Sequence, residues 1–192
     1  MAKTSKLIFA IGGSLILAGL VLLGVMLISQ HTAQAQNTKT LAAMDAVLTD
    51  RREGVRDGNR QAEMPVLELG GSDYVALIEI PAYGLRLPVR STWDKQAVML
   101  SPCRFYGSAY NDTLVIGGSD SRGQFDFFDR IEDGTAVTVT DMTGSVFTYE
   151  VARVRRSDSA RAEVLLQSDA HLTLFVRDAR LLEYIILCCV VK

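Results

Sequence analysis

The stretch Tyr74-Val-Ala-Leu-Ile-Glu-Ile-Pro-Ala-Tyr-Gly-Leu-Arg-Leu-Pro-Val89 sets the reading of everything around it. Val75 to Ile80 is a short apolar run that Pro81 stops, and Leu85 to Val89 resumes after Tyr83-Gly84. Runs of this length bounded by Pro and Gly read as strands joined by a turn, not as a helix. The pattern repeats downstream. Thr113 to Ile116 ends in Gly117-Gly118, and Thr135 to Thr140 and Val146 to Ala152 flank a turn at Asp141-Met-Thr-Gly144. Leu172 to Val176 and Tyr184 to Val191 complete the series. The last run is apolar at nearly every position, which predicts a strand covered on both faces or central in its sheet. Trp93–Leu100 and Gln124–Ile131 read as short helices, with Phe125, Phe127 and Phe128 packing onto the strands. With an extended piece at Arg104–Tyr106 there are about eight strands and few helices, the signature of a mainly β closed barrel or sandwich.

Upstream the character changes. Leu7 to Ser29 contains no charged residue, long enough as a helix to cross a hydrocarbon core of about 30 Å. Lys3 and Lys6 precede it and no Lys or Arg follows until Lys39, which predicts a single-pass anchor with a cytoplasmic N-terminus. Ala33-Gln34-Ala35 fits a cleavage site, but the apolar core exceeds the 7–15 residues usual in signal peptides. Leu41, Met44, Val47 and Leu48 share one face of a short helix that needs an apolar partner. A polar linker at Arg56–Glu63 follows. The expected organisation is a cytoplasmic tail (1–6), an anchor (7–29), a stalk with a short helix (30–72) and an exported β domain (73–192) in the cell membrane.

Charge and cysteine usage narrow the function. The chain carries 20 basic and 22 acidic residues, with no concentrated basic stripe, so nucleic acid is not an expected partner. Asp126, Asp129 and Glu132-Asp133 lack the spacing of a calcium loop. Cys103, Cys188 and Cys189 have no metal-ligand spacing, so no metal or cofactor is expected; they read as core fillers, with a Cys103–Cys189 disulfide left open.

The order of several pieces resembles the sortase family of Gram-positive bacteria. These are Ala76-Leu-Ile-Glu-Ile-Pro81, Leu85-Arg-Leu-Pro-Val89, Ser101-Pro-Cys-Arg-Phe-Tyr-Gly-Ser108, Leu114-Val-Ile-Gly-Gly118, Phe125, Gly134 and Leu172-Thr-Leu-Phe175. Their collinearity behind an N-terminal anchor carries the likeness. The resemblance implies a closed eight-stranded barrel with short helices, preceded by one transmembrane helix. It also implies transpeptidase chemistry on a sorting signal, using a cysteine nucleophile, a histidine and an arginine. A polarisable thiolate suits acyl transfer, an imidazole titrates near working pH, and a guanidinium is a fixed donor for an oxyanion.

This sequence departs from that pattern at the residues that matter. After Thr173-Leu174-Phe175-Val176 the cysteine position holds Arg177. The histidine position after Gly118 holds Ser119. The arginine position aligns with Tyr184, or with Arg180 across a loosely matched loop. His171 lies six residues before Arg177, roughly 20 Å along a strand, and His31 lies beside the anchor. No displaced Cys–His pair is expected, and Ser119 has no nearby base. Ser119, Asp120, Arg177 and Asp178 are expected to form an ion-paired patch closing a groove. The reading is an inactive sortase-like protein that binds a sorting-signal peptide, or a sortase or pilus partner. The alternatives are an enzyme with a displaced nucleophile, or a decayed copy, given the unusual tail after Val176.

Overall fold

The computed structural model describes residues 2–52, 63–161, 164–165, 169–178 and 180–192; within the N-terminal helix, side chains are described for 15–25 and 34–49. Nine strands follow that helix, α1 (Ala2–Arg52). They are β1 (Leu67–Leu69), β2 (Ser72–Ile80), β3 (Leu85–Arg90), β4 (Cys103–Tyr106), β5 (Leu114–Ser119), β6 (Ala136–Asp141), β7 (Val146–Ser157), β8 (Leu172–Arg177) and β9 (Tyr184–Val191). Their order across the sheet is β1-β2-β3-β4-β5-β8-β9-β7-β6, and β6 pairs back onto β2 through Ala76↔Asp141 to Glu79↔Thr138. That last pairing closes an eight-stranded barrel, with β1 added where β2 extends past β6.

Alternation along each strand builds the core. Ala76, Ile78 and Ile80 of β2, Leu114 and Ile116 of β5, Leu172, Leu174 and Val176 of β8, and Ile185, Leu187 and Cys189 of β9 all pack into one interior cluster. The intervening residues of β5, β8 and β9 face outward. There Val115, Phe175, Ile186 and Cys188 form a second cluster, covered by Leu165 and edged by Trp93, Phe105 and Tyr184. Strand β9 lies between β7 and β8, so its uninterrupted apolar run is explained by cover on both faces. Cys188 and Cys189 fall on opposite faces, Cys103 sits in a separate cluster under Ala97 and Val98, and all three thiols are free.

Several local expectations need correction. Residues 93–100 hold only one 3-10 turn, Ala97–Met99, because the Asp94 carboxylate accepts from the backbone N–H of Gln96 (2.9 Å) and Ala97 (2.7 Å) and fixes a turn there. Residues 124–131 likewise hold one 3-10 turn, Phe128–Arg130, since Phe125, Phe127 and Phe128 are all buried and no helical face can bury all three. Strand β1 was not expected; Gly70 and Gly71, both at positive φ, make the two-residue hairpin that joins it to β2. The polar stretch at 30–37 does not interrupt the helix. No Gly or Pro lies between Val25 and Glu53, and the backbone stays helical from Ala2 to Arg52.

The end of α1 docks on the barrel. Met44 is fully buried against Tyr74 and Met142, and Leu48 is also buried. Beside them Arg86 donates to both carboxylate oxygens of Asp45 (2.5 and 2.8 Å) and to Glu79 (3.0 Å). These groups are partly exposed, so the apolar contact outweighs the ion pair, which is worth about 0.5–1 kcal/mol. The linker at 56–63 lies almost wholly outside the described residues. Among those residues no helix is long and apolar enough to cross a membrane; of the candidate anchor, only 15–25 have described side chains.

The β8–β9 connection is held by one carboxylate. Asp178 is buried, and its Oδ1 accepts from the backbone N–H of Arg180 (2.8 Å) and Leu181 (3.2 Å). Its backbone N–H donates to Glu183 O, its carbonyl accepts from Leu182, and its Oδ2 lies 4.0 Å from Arg156. Those two backbone donors, helped by the Arg180 and Arg156 charges, hold the Asp178 carboxyl below its usual range. A depressed folded pKa stabilises above the unfolded value and is lost as pH falls through the folded one. D178N is therefore expected to lower the melting temperature at pH 7, and the difference from wild type is expected to shrink as pH falls below the ordinary carboxylate range. A second prediction concerns the core. The Tyr149 hydroxyl is buried with no hydrogen-bond partner among the described residues, and burial pushes its pKa well up. Y149F removes an unsatisfied group at nearly constant volume and is expected to stabilise the chain by about 1 kcal/mol in denaturant unfolding.

Candidate functional site

Strand register assembles the site. Strands β5 and β8 are parallel and pair Gly117↔Phe175 and Ser119↔Arg177; β8 and β9 are antiparallel and pair Phe175↔Ile186 and Arg177↔Tyr184. Ser119, Arg177 and Tyr184 therefore stand in one row across three adjacent strands, on the outer face and at the C-terminal ends of β5 and β8. Arg180 is exposed in the β8–β9 turn, outside that row. Cross-strand neighbours on one face have Cβ atoms about 4.5–5.5 Å apart, so residues bearing hydroxyls adjoin Arg177 on both sides.

The row beneath is packed tightly. A Cβ on Gly117 would come within 2.3 Å of the Trp93 ring and 2.5 Å of Phe175, and one on Gly118 within 2.2 Å of Phe125. These two glycines are required by close approach of aromatic rings. Trp93, Phe105 and Phe175 pack at centroid distances of 5.4–5.5 Å and give the site an apolar floor.

Over the row lies a cavity of about 980 Å³. One wall is apolar, from Trp93, Val98, Met99 and Phe175; another is polar, from Ser119, Asp120, Arg122, Arg177 and Tyr184; Lys95 stands at the rim. Across it lies α1, which contributes Leu22, Val25, Gln34 and Asn37. Asn37 Nδ2 donates to Leu100 O (2.8 Å), and Gln34 Nε2 reaches Arg122 O (3.5 Å). Gln124 is buried below Ser119 and ties the loops together, accepting from Ser119 N–H (3.2 Å) and donating to Val98 O (3.2 Å).

This arrangement corrects the expected patch. Asp178 is engaged by its own hairpin and by Arg156, so Ser119, Asp120, Arg177 and Asp178 are not one ion-paired cluster. Arg177 is exposed and leaves the cavity open. No nucleophile and base meet there among the described residues. The Ser119 Oγ contact is Met99 Sδ at 3.7 Å. His171 is at the far end of β8, where its Nδ1 accepts from Val191 N–H (3.1 Å); the His31 side chain lies outside the described residues. Cys103 pairs across from Gly117 and so approaches the site, but it is fully buried and burial pushes its thiol pKa up. Burial likewise pushes Cys189 up to about 12. A thiol so placed yields little thiolate. Among the described residues no group of three or more His, Cys, Asp or Glu is placed to hold a metal ion.

Trp93, Lys95, Met99, Arg122, Gln124, Gln34 and Asn37 were not foreseen as lining residues. Only the Gly117-Gly118 pair signalled a close approach, and it did not say by what. A lone tryptophan beside a strand pattern reads equally well as a packing anchor.

A sortase domain model matches residues 78–176, just over half of the chain. Solved structures with the same fold include sortase A from Corynebacterium diphtheriae (17% identity, 85% of this chain and 93% of that one, TM-score 0.56) and sortase C-3 from Streptococcus pneumoniae (14%, 85% and 90%, 0.57). A sortase D5 transpeptidase from Clostridium perfringens is similar over 79% of this chain and 99% of its own, at 16% identity and a TM-score of 0.54. No curated protein sequence matches significantly. The closed barrel, its strand order and the matched domain make this chain a member of the sortase family.

Proposed function

We propose that this is a membrane-tethered sortase-family protein without transpeptidase activity, which holds a sorting-signal peptide in the groove above Ser119, Arg177 and Tyr184. The carrying observation is an open cavity of about 980 Å³ whose central row offers a cation and two hydroxyls in place of a thiol and an imidazole. A cleft of this volume suits a short extended segment. Apolar floor residues Trp93 and Phe175 supply contact area, and the polar row supplies orientation. Acyl transfer needs an ionisable nucleophile within reach of a base. The cysteines are buried, and the described histidine sits at the other end of β8.

The uncharged run at 7–29, with Lys3 and Lys6 before it, supports tethering with the barrel on the outer face. Leu22 and Val25, inside that run, line the cavity together with Gln34 and Asn37 beyond it, so the groove would open at the membrane surface itself, within reach of tethered surface or pilus proteins. The full chain in detergent, incubated with sorting-signal peptides, is expected to bind them and to return both peptide and protein at unchanged mass. Peptide cleavage, or an acyl adduct that C103A abolishes, would instead establish a displaced nucleophile.

A further inference from the structure

Resting on the reading of the groove as a peptide site, we infer that the group bound at Arg177 is the free C-terminal carboxylate of a peptide with apolar side chains, so that the ligand is a chain already cut. Among the described residues three cations line the cavity, Lys95, Arg122 and Arg177, against one carboxylate, Asp120. Asp178, next to Arg177 in sequence, is turned into its hairpin and toward Arg156. Among the described residues Arg177 makes no salt bridge, and its side chain is exposed at the cavity wall. A guanidinium is a planar fork that matches a carboxylate with two parallel hydrogen bonds. Arg177 is in direct register with Ser119 on one neighbouring strand and with Tyr184 on the other.

A continuous peptide threading this groove brings only neutral amides and carbonyls to that row. It leaves the surplus positive charge uncompensated. A chain terminus brings one negative charge in the geometry the fork accepts, while its preceding side chains lie on Trp93, Met99 and Phe175. The species that fits is a product of peptide-bond hydrolysis, so a protease or a hydrolysing transpeptidase must supply it.

The chain contains one tryptophan, and it lines the cavity, so Trp93 emission reports occupancy. The full chain in detergent is titrated with a mixture of apolar tetrapeptides, once as free acids and once as C-terminal carboxamides, and with hexanoate. The acids are expected to bind about tenfold or more tightly than the carboxamides. R177Q, at an exposed position, is expected to remove most of that gap, and R130Q, which removes a charge remote from the cavity, to keep it. Equal binding of acids and carboxamides by the wild type, or a gap that survives R177Q, overturns the inference while leaving the groove a peptide site. Unchanged Trp93 emission with both peptide forms overturns that reading as well. Hexanoate binding as tightly as the peptide acids overturns the peptide assignment in favour of a fatty carboxylate.

Discussion

The register of β5, β8 and β9 is the constraint on which the rest depends. Leu114↔Leu172↔Cys189, Ile116↔Leu174↔Leu187 and Gly118↔Val176↔Ile185 face the interior; Val115↔Thr173↔Cys188, Gly117↔Phe175↔Ile186 and Ser119↔Arg177↔Tyr184 face outward. A slip of one residue in β8 would turn Leu172, Leu174 and Val176 out and drive Arg177 into an apolar barrel. Burying an unpaired charge costs several kcal/mol even after relaxation, and exposing three core side chains costs about as much again. Core packing therefore specifies which side chains share the outer row. The site is a by-product of the same alternation that fills the barrel.

Helix α1 adds a constraint from outside the sheet. Its apolar contacts lie at Met44 and Leu48, while two to three turns earlier Asn37 and Gln34 reach the loops bounding the cavity. Because the helix is continuous between these points, the anchoring contact also fixes the height and rotation of the cavity wall. The Asn37 bond to Leu100 O matters here, because Leu100 ends the turn that carries Val98 and Met99 into the cavity. Groove width and helix position are in this way one variable.

How much of this was legible in the sequence depends on whether a feature is local or relational. Strands bounded by Pro and Gly were legible, since hydrophobic alternation and backbone breakers act within a few residues. So was the place of Arg177 at the end of β8, because the run Leu172 to Phe175 marks that strand. The short helices were misread because apolar spacing in 93–100 and 124–131 cannot reveal that Asp94, or a stack of buried phenylalanines, favours a single 3-10 turn. Strand β1 was overlooked although Leu69-Gly70-Gly71-Ser72 is a two-residue hairpin signal; with three residues it has almost no periodicity to read. The commitment of Asp178 to its own turn is encoded locally, but the adjacent Arg177 offered a simpler ion-pair reading. The contributions of Gln34, Asn37 and Gln124 are relational throughout, since each depends on a loop distant in sequence or on strand ends meeting.

The separation of faces also leaves the outer row free to differ without touching the core. Barrel stability rests on inward residues such as Ile78, Ile116, Leu174 and Leu187, none of which exceeds 1% exposure. The outer-row positions 119, 177 and 184 lie on the other face and contribute little to that burial. An exchange there changes what the groove can bind or transform without opening a cavity in the core. Gly117 and Gly118 mark the boundary between the two regimes, for a side chain there would displace Trp93, Phe175 or Phe125. Freedom to vary is thus confined to the last row of the three strands. Within that row, Arg177 presents a fixed cation at the exposed end of β8, a group suited to holding a negative charge.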